Sequence, residues 1–153
     1  MPLYLVQHGK SLAKDVDPEQ GLSETGIAET LNIARVAAGY NVSVKRIHHS
    51  VKTRARQTAE IFADALHPVE GVHQIEGIKP IDDVTAIAPG LKPEDNLMMV
   101  GHLPFMARLT ACMVTGRTDP AVFKFQNSGI VCLDKQADEN NWQIVWTLMP
   151  HIG

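Results

Sequence analysis

The apolar residues of the chain form short runs that alternate with longer segments of helical periodicity. The first run, residues 3–6, stops at Gln7, and strand-like runs at residues 45–48 and 96–100 also end at polar residues. Short apolar runs bounded in this way are typical of buried parallel strands. The alternation of strands with helices predicts βαβ units, whose crossovers are right-handed, and therefore a mostly parallel sheet.

Three segments have the spacing and the end signals of helices. The first begins at an N-cap, Ser23, and stops at Gly39; the second covers residues 52–66 and is ended by Pro68; the third starts with Pro104 and closes at Gly116. Apolar spacing predicts the buried face of each helix. For the first helix these residues are Ile27, Leu31, Ala34 and Ala38; for the second, Thr58, Ile61, Phe62, Ala65 and Leu66; for the third, Phe105, Leu109, Cys112 and Met113.

The remaining segments complete the predicted sheet. Residues 69–75 form a weak edge strand, and a short helix over 84–88 follows, capped by Asp82 or Asp83. Residues 121–126, 129–135 and 142–148 alternate like strands, and at least one of them should be antiparallel. The prediction is an α/β protein: one domain over residues 1–153, with three α/β/α layers around a mostly parallel central sheet.

Composition narrows the function classes. With 153 residues and 44% hydrophobic residues, one well-buried domain is expected. The net charge of -3 argues against nucleic acid and acidic membranes as partners, and there is no leader-like or spanning apolar run, so a cytoplasmic protein is expected. Cys112 and Cys132 are isolated in apolar contexts, which indicates reduced, buried thiols and neither a disulfide nor a metal site.

Three strand ends carry residues suited to anion chemistry: His8, Arg54 and His102. Loops at the carboxyl ends of parallel strands build the sites of open α/β sheets. Arg54 stands in the first turn of its helix, where the dipole disfavours a cation unless an anion lies between them. The alternative is a solvent-facing arginine paired with Glu60 or Asp64. The basic residues around it, Lys45, Arg46, Lys52 and Arg56, are either a solvated face or a rim that attracts an acidic or phosphorylated partner.

Four motifs occur in order along the chain: Gln7-His8-Gly9, the turn from Leu22 to Gly26, the helix start from Ser50 to Thr58, and Gly101-His102-Leu103-Pro104. Together they resemble the histidine phosphatase superfamily, also called phosphoglycerate mutase-like, and within it the SixA-type phosphohistidine phosphatases. Two positions depart from the family pattern. Gln7 stands where the family has arginine, and Val51 stands where it usually has proline.

The resemblance implies a phosphoglycerate mutase-like fold and a covalent mechanism without metal or cofactor. His8 is then the nucleophile, with Arg54 and His102 as its catalytic partners. The phosphoryl group would be bound by Gln7, Gly9, Lys10, Arg54 and His102, with Lys10 or Lys52 as candidates to compensate for the arginine missing at position 7. His102 would supply a second charge if protonated.

The substrate follows from the leaving group. An alcohol needs a general acid, and the residues available in the expected region are Glu76, Asp82 and Asp83, none of which can be assigned. The nitrogen of phosphohistidine leaves without such help, so a phosphoprotein is the favoured partner and protein phosphohistidine the favoured substrate. Two alternatives stay open: a phosphatase of small phosphate esters, and a phosphate- or phosphoprotein-binding module of reduced or no activity because of Gln7. The oligomeric state is left open.

Overall fold

A six-stranded sheet forms the middle layer of the protein in the computed structural model, which describes residues 1–152. The strands lie in the order β3-β2-β4-β1-β5-β6. The elements along the chain are β1 (Leu3–Gln7), α1 (Glu24–Gly39), β2 (Arg46–His49), α2 (Thr53–Leu66), β3 (Val72–Gln74), β4 (Leu97–Gly101), α3 (Phe105–Thr115), β5 (Ile130–Asp134) and β6 (Gln143–Leu148). Strands β3, β2, β4 and β1 are parallel, and β5 is antiparallel to both its neighbours, which confirms the predicted mixed sheet.

The central strand β1 is buried on both faces. Leu3 and Leu5 pack in one apolar cluster with α3, whereas Tyr4 and Val6 pack in a second cluster with α1 and α2. Alternate residues of a strand point to opposite faces, so one apolar run serves two layers. The predicted α/β/α architecture, with helices on both faces of the sheet, is confirmed.

Helix α1 has the predicted limits, but the predicted buried face was only partly right: Ala34 is buried, whereas Ile27 and Leu31 are not. Ser23 caps the helix by accepting the Gly26 N–H, as expected. Ile27 and Leu31 are 42% and 47% exposed, however, while the face turned inward carries Gly26, Thr30, Ile33, Ala34 and Ala37. The reason is local packing at Gly26, where a Cβ would collide with the Lys10 carbonyl. The helix therefore docks with its glycine against the loop after β1, and this rotates Ile27 outward.

The predicted strand over residues 121–126 was also wrong, since this segment is irregular. Its alternation has a different cause: Phe125 is buried and Phe123 is half-buried against the cluster that contains α3, and the two rings meet edge to face at 5.7 Å. Without a sheet neighbour the segment has no ladder to join.

Smaller boundaries also shift. The predicted helix at 84–88 is two 3₁₀ turns, Val84–Ala86 and Ala88–Gly90, with Asp83 capping the first through the Thr85 N–H; a third 3₁₀ turn covers Pro93–Asp95. Pro104 is the N-cap of α3, one position before the one predicted. In the described residues, no helix is both long and apolar enough to cross a membrane.

Candidate active site

The register of three parallel strands brings the predicted site residues together. Gln7 at the end of β1 is paired with Gly101 at the end of β4, and His49 at the end of β2 is paired with Val100. The residues that follow β1, β2 and β4 therefore leave the sheet at the same edge. His8 and His102 are therefore neighbours, with ring centroids 4.9 Å apart, and Ser50 lies beside them.

His8 is held by partners at both ring nitrogens, one an acceptor and the other a donor. Its Nδ1 lies 2.7 Å from the Gly9 carbonyl oxygen, and because a carbonyl only accepts, the ring proton is on Nδ1. Burial lowers the pKa of His8 to about 4, with a further lowering by Arg54 and an opposing effect of the Gly9 carbonyl. The imidazole is neutral at physiological pH, and Nε2 carries a lone pair, as a nucleophile requires.

Arg54 lies at that lone pair. Its Nε donates to His8 Nε2 across 3.3 Å, so the guanidinium stands where a phosphoryl group on Nε2 would need positive charge. The alternative ion pair with Glu60 or Asp64 is not formed by Arg54. Arg56 forms the ion pair with Glu60 instead, with Nη1 and Oε1 2.6 Å apart on the exposed face of α2.

His102 is buried, with 1% of its surface exposed. Its Nε2 lies 2.6 Å from the Ser50 hydroxyl. Burial lowers the pKa of His102 to about 3, and the neighbouring His8, Arg54 and Lys52 lower it further. His102 is therefore neutral in this structure, and it would gain a proton only if an anion such as a phosphoryl group lay beside it.

The other predicted phosphate ligands are Gln7, Gly9 and Lys10, and each has different contacts. The Gln7 Oε1 atom is buried and has no hydrogen-bond partner among residues 1–152. Gly9 donates its N–H to Thr58 Oγ1 at 2.9 Å, and a Cβ on it would lie 2.8 Å from Thr30 Oγ1, so glycine is required there by close packing. Lys10 is directed to Glu29, with Nζ and Oε1 3.8 Å apart. Its contact with phosphate stays a prediction.

No general acid is evident among the three carboxylates considered. Asp82 accepts the Lys79 N–H, and Asp83 accepts both the N–H and the hydroxyl of Thr85, which lower its pKa. A lowered pKa favours the ionised form, the opposite of what a proton donor needs. Glu76 is exposed, and within the described chain none of the three hydrogen-bonds to His8, Arg54 or His102.

Two of the four residues of the basic rim suggested by the sequence, Arg46 and Arg56, are paired with carboxylates. Arg46 contacts Glu70 at 2.9 Å and Asp95 at 3.8 Å, and Arg56 contacts Glu60. Exposed pairs of this kind screen one another and leave little net field. Lys52, which precedes α2, is the member of that cluster whose charge acts on His102. The solvated-face interpretation therefore fits Arg46 and Arg56.

Residues 127 and 128 complete the site and were missed by the sequence reasoning. Asn127 donates its amide to the His8 carbonyl at 2.8 Å, and the Ser128 N–H donates to the Gln7 carbonyl at 2.8 Å. Ser128 is fully buried with a φ of 69°, and its hydroxyl shares a hydrogen bond with Thr30. No local signal in the sequence points to these contacts, because the nearest of the partners is 98 residues away along the chain.

Comparison with known proteins agrees with this geometry. Residues 3–82, more than half of the chain, match the family model described as the histidine phosphatase superfamily, branch 1. The chain belongs to the histidine phosphatase superfamily. It is 26% identical over 151 residues to phosphohistidine phosphatase SixA of Escherichia coli strain K12, which covers 94% of this chain and 93% of that protein. The resemblance inferred from the four motifs is thus confirmed.

Solved structures of other phosphatases share the fold. The protein histidine phosphatase SixA complexed with tungstate superposes with a TM-score of 0.83 at 24% identity, over 98% of this chain and 97% of the other. A mycobacterial glucosyl-3-phosphoglycerate phosphatase complexed with VO3 gives a TM-score of 0.71 at 16% identity, over 95% and 98% of the two chains. The phosphoglycerate mutase-like fold is therefore established. Superfamily membership together with similarity to SixA supports phosphatase activity.

Proposed function

We propose that this protein is a phosphatase that removes the phosphoryl group from protein phosphohistidine through a covalent intermediate on His8. The observation that carries the proposal is the arrangement at His8. One ring nitrogen is fixed by the Gly9 carbonyl, and the other faces the Arg54 guanidinium at 3.3 Å. A neutral, oriented imidazole beside a fixed cation suits attack on an anionic phosphorus centre.

The reaction divides into two displacements. In the first, the His8 Nε2 lone pair forms a bond to phosphorus while the bond from phosphorus to the substrate imidazole breaks. The substrate ring carries a proton on its other nitrogen, so it leaves as a neutral imidazole that keeps the electron pair of the broken bond. In the second, water attacks the phosphorus of phospho-His8, the bond to Nε2 breaks, and inorganic phosphate leaves. Arg54 and His102 supply hydrogen bonds to the equatorial oxygens in both steps.

The absence of an assignable acid favours a nitrogen leaving group. Glu76, Asp82 and Asp83 are exposed or already used by backbone donors in residues 1–152. An alkoxide leaving group would need such a donor, whereas an imidazole does not. This supports phosphohistidine over small phosphate esters as the substrate.

The surroundings of His102 suit a protein substrate. Leu103, the next residue, and Val122 are each 38% exposed, and both line a shallow apolar cavity of about 430 Å³ with Ala107, Phe123 and Phe125. Because Leu103 directly follows His102, this cavity adjoins the site, and we propose it as a contact surface for a protein substrate. A phosphorylated loop or helix of a partner domain can reach His8 beside this surface.

The test is a rapid-quench reaction of the protein with a phosphohistidine-bearing domain. Free phosphate and acid-labile phosphate on the enzyme are followed together, with His8→Ala as the matched variant. We expect label on the wild type that is released as phosphate, and none on His8→Ala. If the substrate binds but stays phosphorylated with both proteins, the phosphatase proposal is wrong and the protein is a binding module. If only small phosphate esters are turned over, the proposed substrate, protein phosphohistidine, is wrong.

A further inference from the structure

Ser50 and His102 form a buried pair at the ends of two neighbouring strands. Both residues are 1% exposed, and Ser50 Oγ lies 2.6 Å from His102 Nε2. The same hydroxyl oxygen accepts the Lys52 backbone N–H at 3.3 Å. His102 Nδ1 is buried and has no hydrogen-bond partner in the described part of the chain. Either atom of the short contact can be the donor, so the position of the ring proton must be inferred from the surroundings.

The two tautomers of neutral His102 differ in how many buried groups they leave unpaired. If Nε2 carries the proton and donates to Ser50, the Ser50 hydroxyl hydrogen has no acceptor and the Nδ1 lone pair has no donor. If Ser50 donates to Nε2 instead, only the Nδ1–H lacks a partner. Each unpaired buried polar group destabilises the fold. The second arrangement leaves fewer such groups and is favoured.

We propose that Ser50 is a positioning residue that holds His102 in the tautomer with its proton on Nδ1. Ser50 reaches this position because β2 and β4 are paired in register, which places residue 50 beside the Gly101–His102 loop. A neutral His102 oriented in this way presents Nδ1–H as a hydrogen-bond donor to a phosphoryl oxygen. The tautomer itself does not depend on the proposed function, whereas its effect on turnover rests on the phosphatase activity proposed above.

The direct test is the nitrogen-15 spectrum of the histidine rings near neutral pH in the protein without added phosphate. Protonated and unprotonated ring nitrogens have well-separated shifts, and the His102 signals are assigned by their loss in His102→Gln. We expect a protonated Nδ1 and an unprotonated Nε2 in the wild type, and a mixture of both tautomers in Ser50→Ala. A wild-type His102 protonated on Nε2 would overturn the proposal, whether or not Ser50→Ala folds.

Turnover of a phosphohistidine-bearing domain gives the second measurement. Ser50→Ala should lower kcat about tenfold with little change in KM, because one hydrogen bond that orients a donor is lost. The control is Thr110→Val, which removes another fully buried hydroxyl; among residues 1–152 this hydroxyl donates to the Met106 carbonyl within α3 and has no other partner. This variant should keep the wild-type rate. An unchanged kcat and an unchanged His102 spectrum in Ser50→Ala would contradict the role of Ser50.

The two measurements separate the two proposals. If the wild type releases no phosphate but His102 carries its proton on Nδ1, the proposed function fails and the positioning role of Ser50 stands. If phosphate is released but His102 is protonated on Nε2, the function stands and the role of Ser50 fails.

Discussion

His8 and His102 occupy equivalent places in the sheet, yet their surroundings give them different chemistry. Each follows a parallel strand, β1 or β4, and burial lowers the pKa of both rings well below the usual range. His8 has its Nδ1 engaged by the next residue's carbonyl and its Nε2 facing Arg54. His102 has the reverse arrangement, with Nε2 engaged by Ser50 and Nδ1 without a partner among residues 1–152.

This comparison shows that the residue type does not by itself decide the role of a histidine. The role depends on whether the ring nitrogen that faces the site carries a lone pair or a proton. The hydrogen-bond partner of the other ring nitrogen decides which of these it carries. On His8 the Nε2 nitrogen keeps a lone pair, which accepts the Arg54 Nε–H in this structure and suits a nucleophile. On His102 the available nitrogen carries a proton in the tautomer proposed above, which suits a donor. The variants below test this division of roles.

The largest effect is expected for His8→Ala. With no lone pair to attack phosphorus, no phosphoenzyme can form, and turnover of a phosphohistidine-bearing domain should fall by on the order of 10⁴-fold or more. Phosphate release measured at saturating substrate tests this. A His8→Ala protein within tenfold of the wild-type rate would mean that His8 is not the nucleophile.

His102→Gln should have a smaller effect of a different kind. Loss of one positioned donor typically lowers turnover by about 10²-fold to 10³-fold, but His8 is still present to accept the phosphoryl group. Quenched samples should therefore still contain label on the enzyme, formed and released more slowly. If no label forms at any time, His102 would share the role of His8, and the division of roles would be wrong.

Gln7→Arg is expected to raise activity by about tenfold, because a charge-assisted hydrogen bond to phosphoryl oxygen is roughly twice as strong as a neutral one. The measurement is kcat/KM with the same phosphorylated domain. Gln136→Arg adds the same charge as a control in the exposed loop after β5, at the opposite end of β1 from the site. An equal or lower rate in Gln7→Arg would show that the site is built around glutamine.

The smallest effect concerns stability. The folded-state pKa values of about 4 for His8 and about 3 for His102 lie below the 6.5 of an unfolded histidine. Below pH 6.5 the unfolded chain therefore binds more protons, and the free energy of unfolding decreases as the pH falls towards 4. Urea unfolding at pH 7 and pH 5 should show this loss in the wild type.

Removing one of the two rings should reduce that loss. His102→Gln should lose less stability than the wild type between pH 7 and pH 5. The control is His67→Asn, an exposed position in the left-handed conformation after α2 that asparagine tolerates, and it should keep the wild-type difference. Equal losses in all three proteins would mean that buried neutral histidine does not cause the pH dependence.

Much of the fold could be predicted from local sequence. Periodicity and end signals act within a few residues, and they predicted the limits of α1 and α2 and the strands β1, β4, β5 and β6. The parallel order of the strands around the site followed from the alternation of strands and helices. The pairing of His8 with Arg54 and His102 was also predictable, since the ends of parallel strands share one edge of the sheet. These features depend on neighbours in the sequence or on a general rule of topology.

Tertiary contacts decided the rest. The phase of α1 was set by Gly26 against the Lys10 carbonyl, which no count of apolar positions detects. The irregular segment around Phe123 and Phe125 has the sequence pattern of a strand. Alternating apolar residues indicate which side chains are buried, but they do not show whether the backbone pairs with a neighbouring strand.

The same holds for the finer details of the site. Ser50 lies 52 residues from His102, and Asn127 lies 119 residues from His8. The sequence alone indicated which residues lie together at the candidate site. Only the tertiary structure decided which nitrogen of each histidine faces the site. Hydrogen bonds between distant segments orient the rings, and a local sequence pattern does not specify such distant partners.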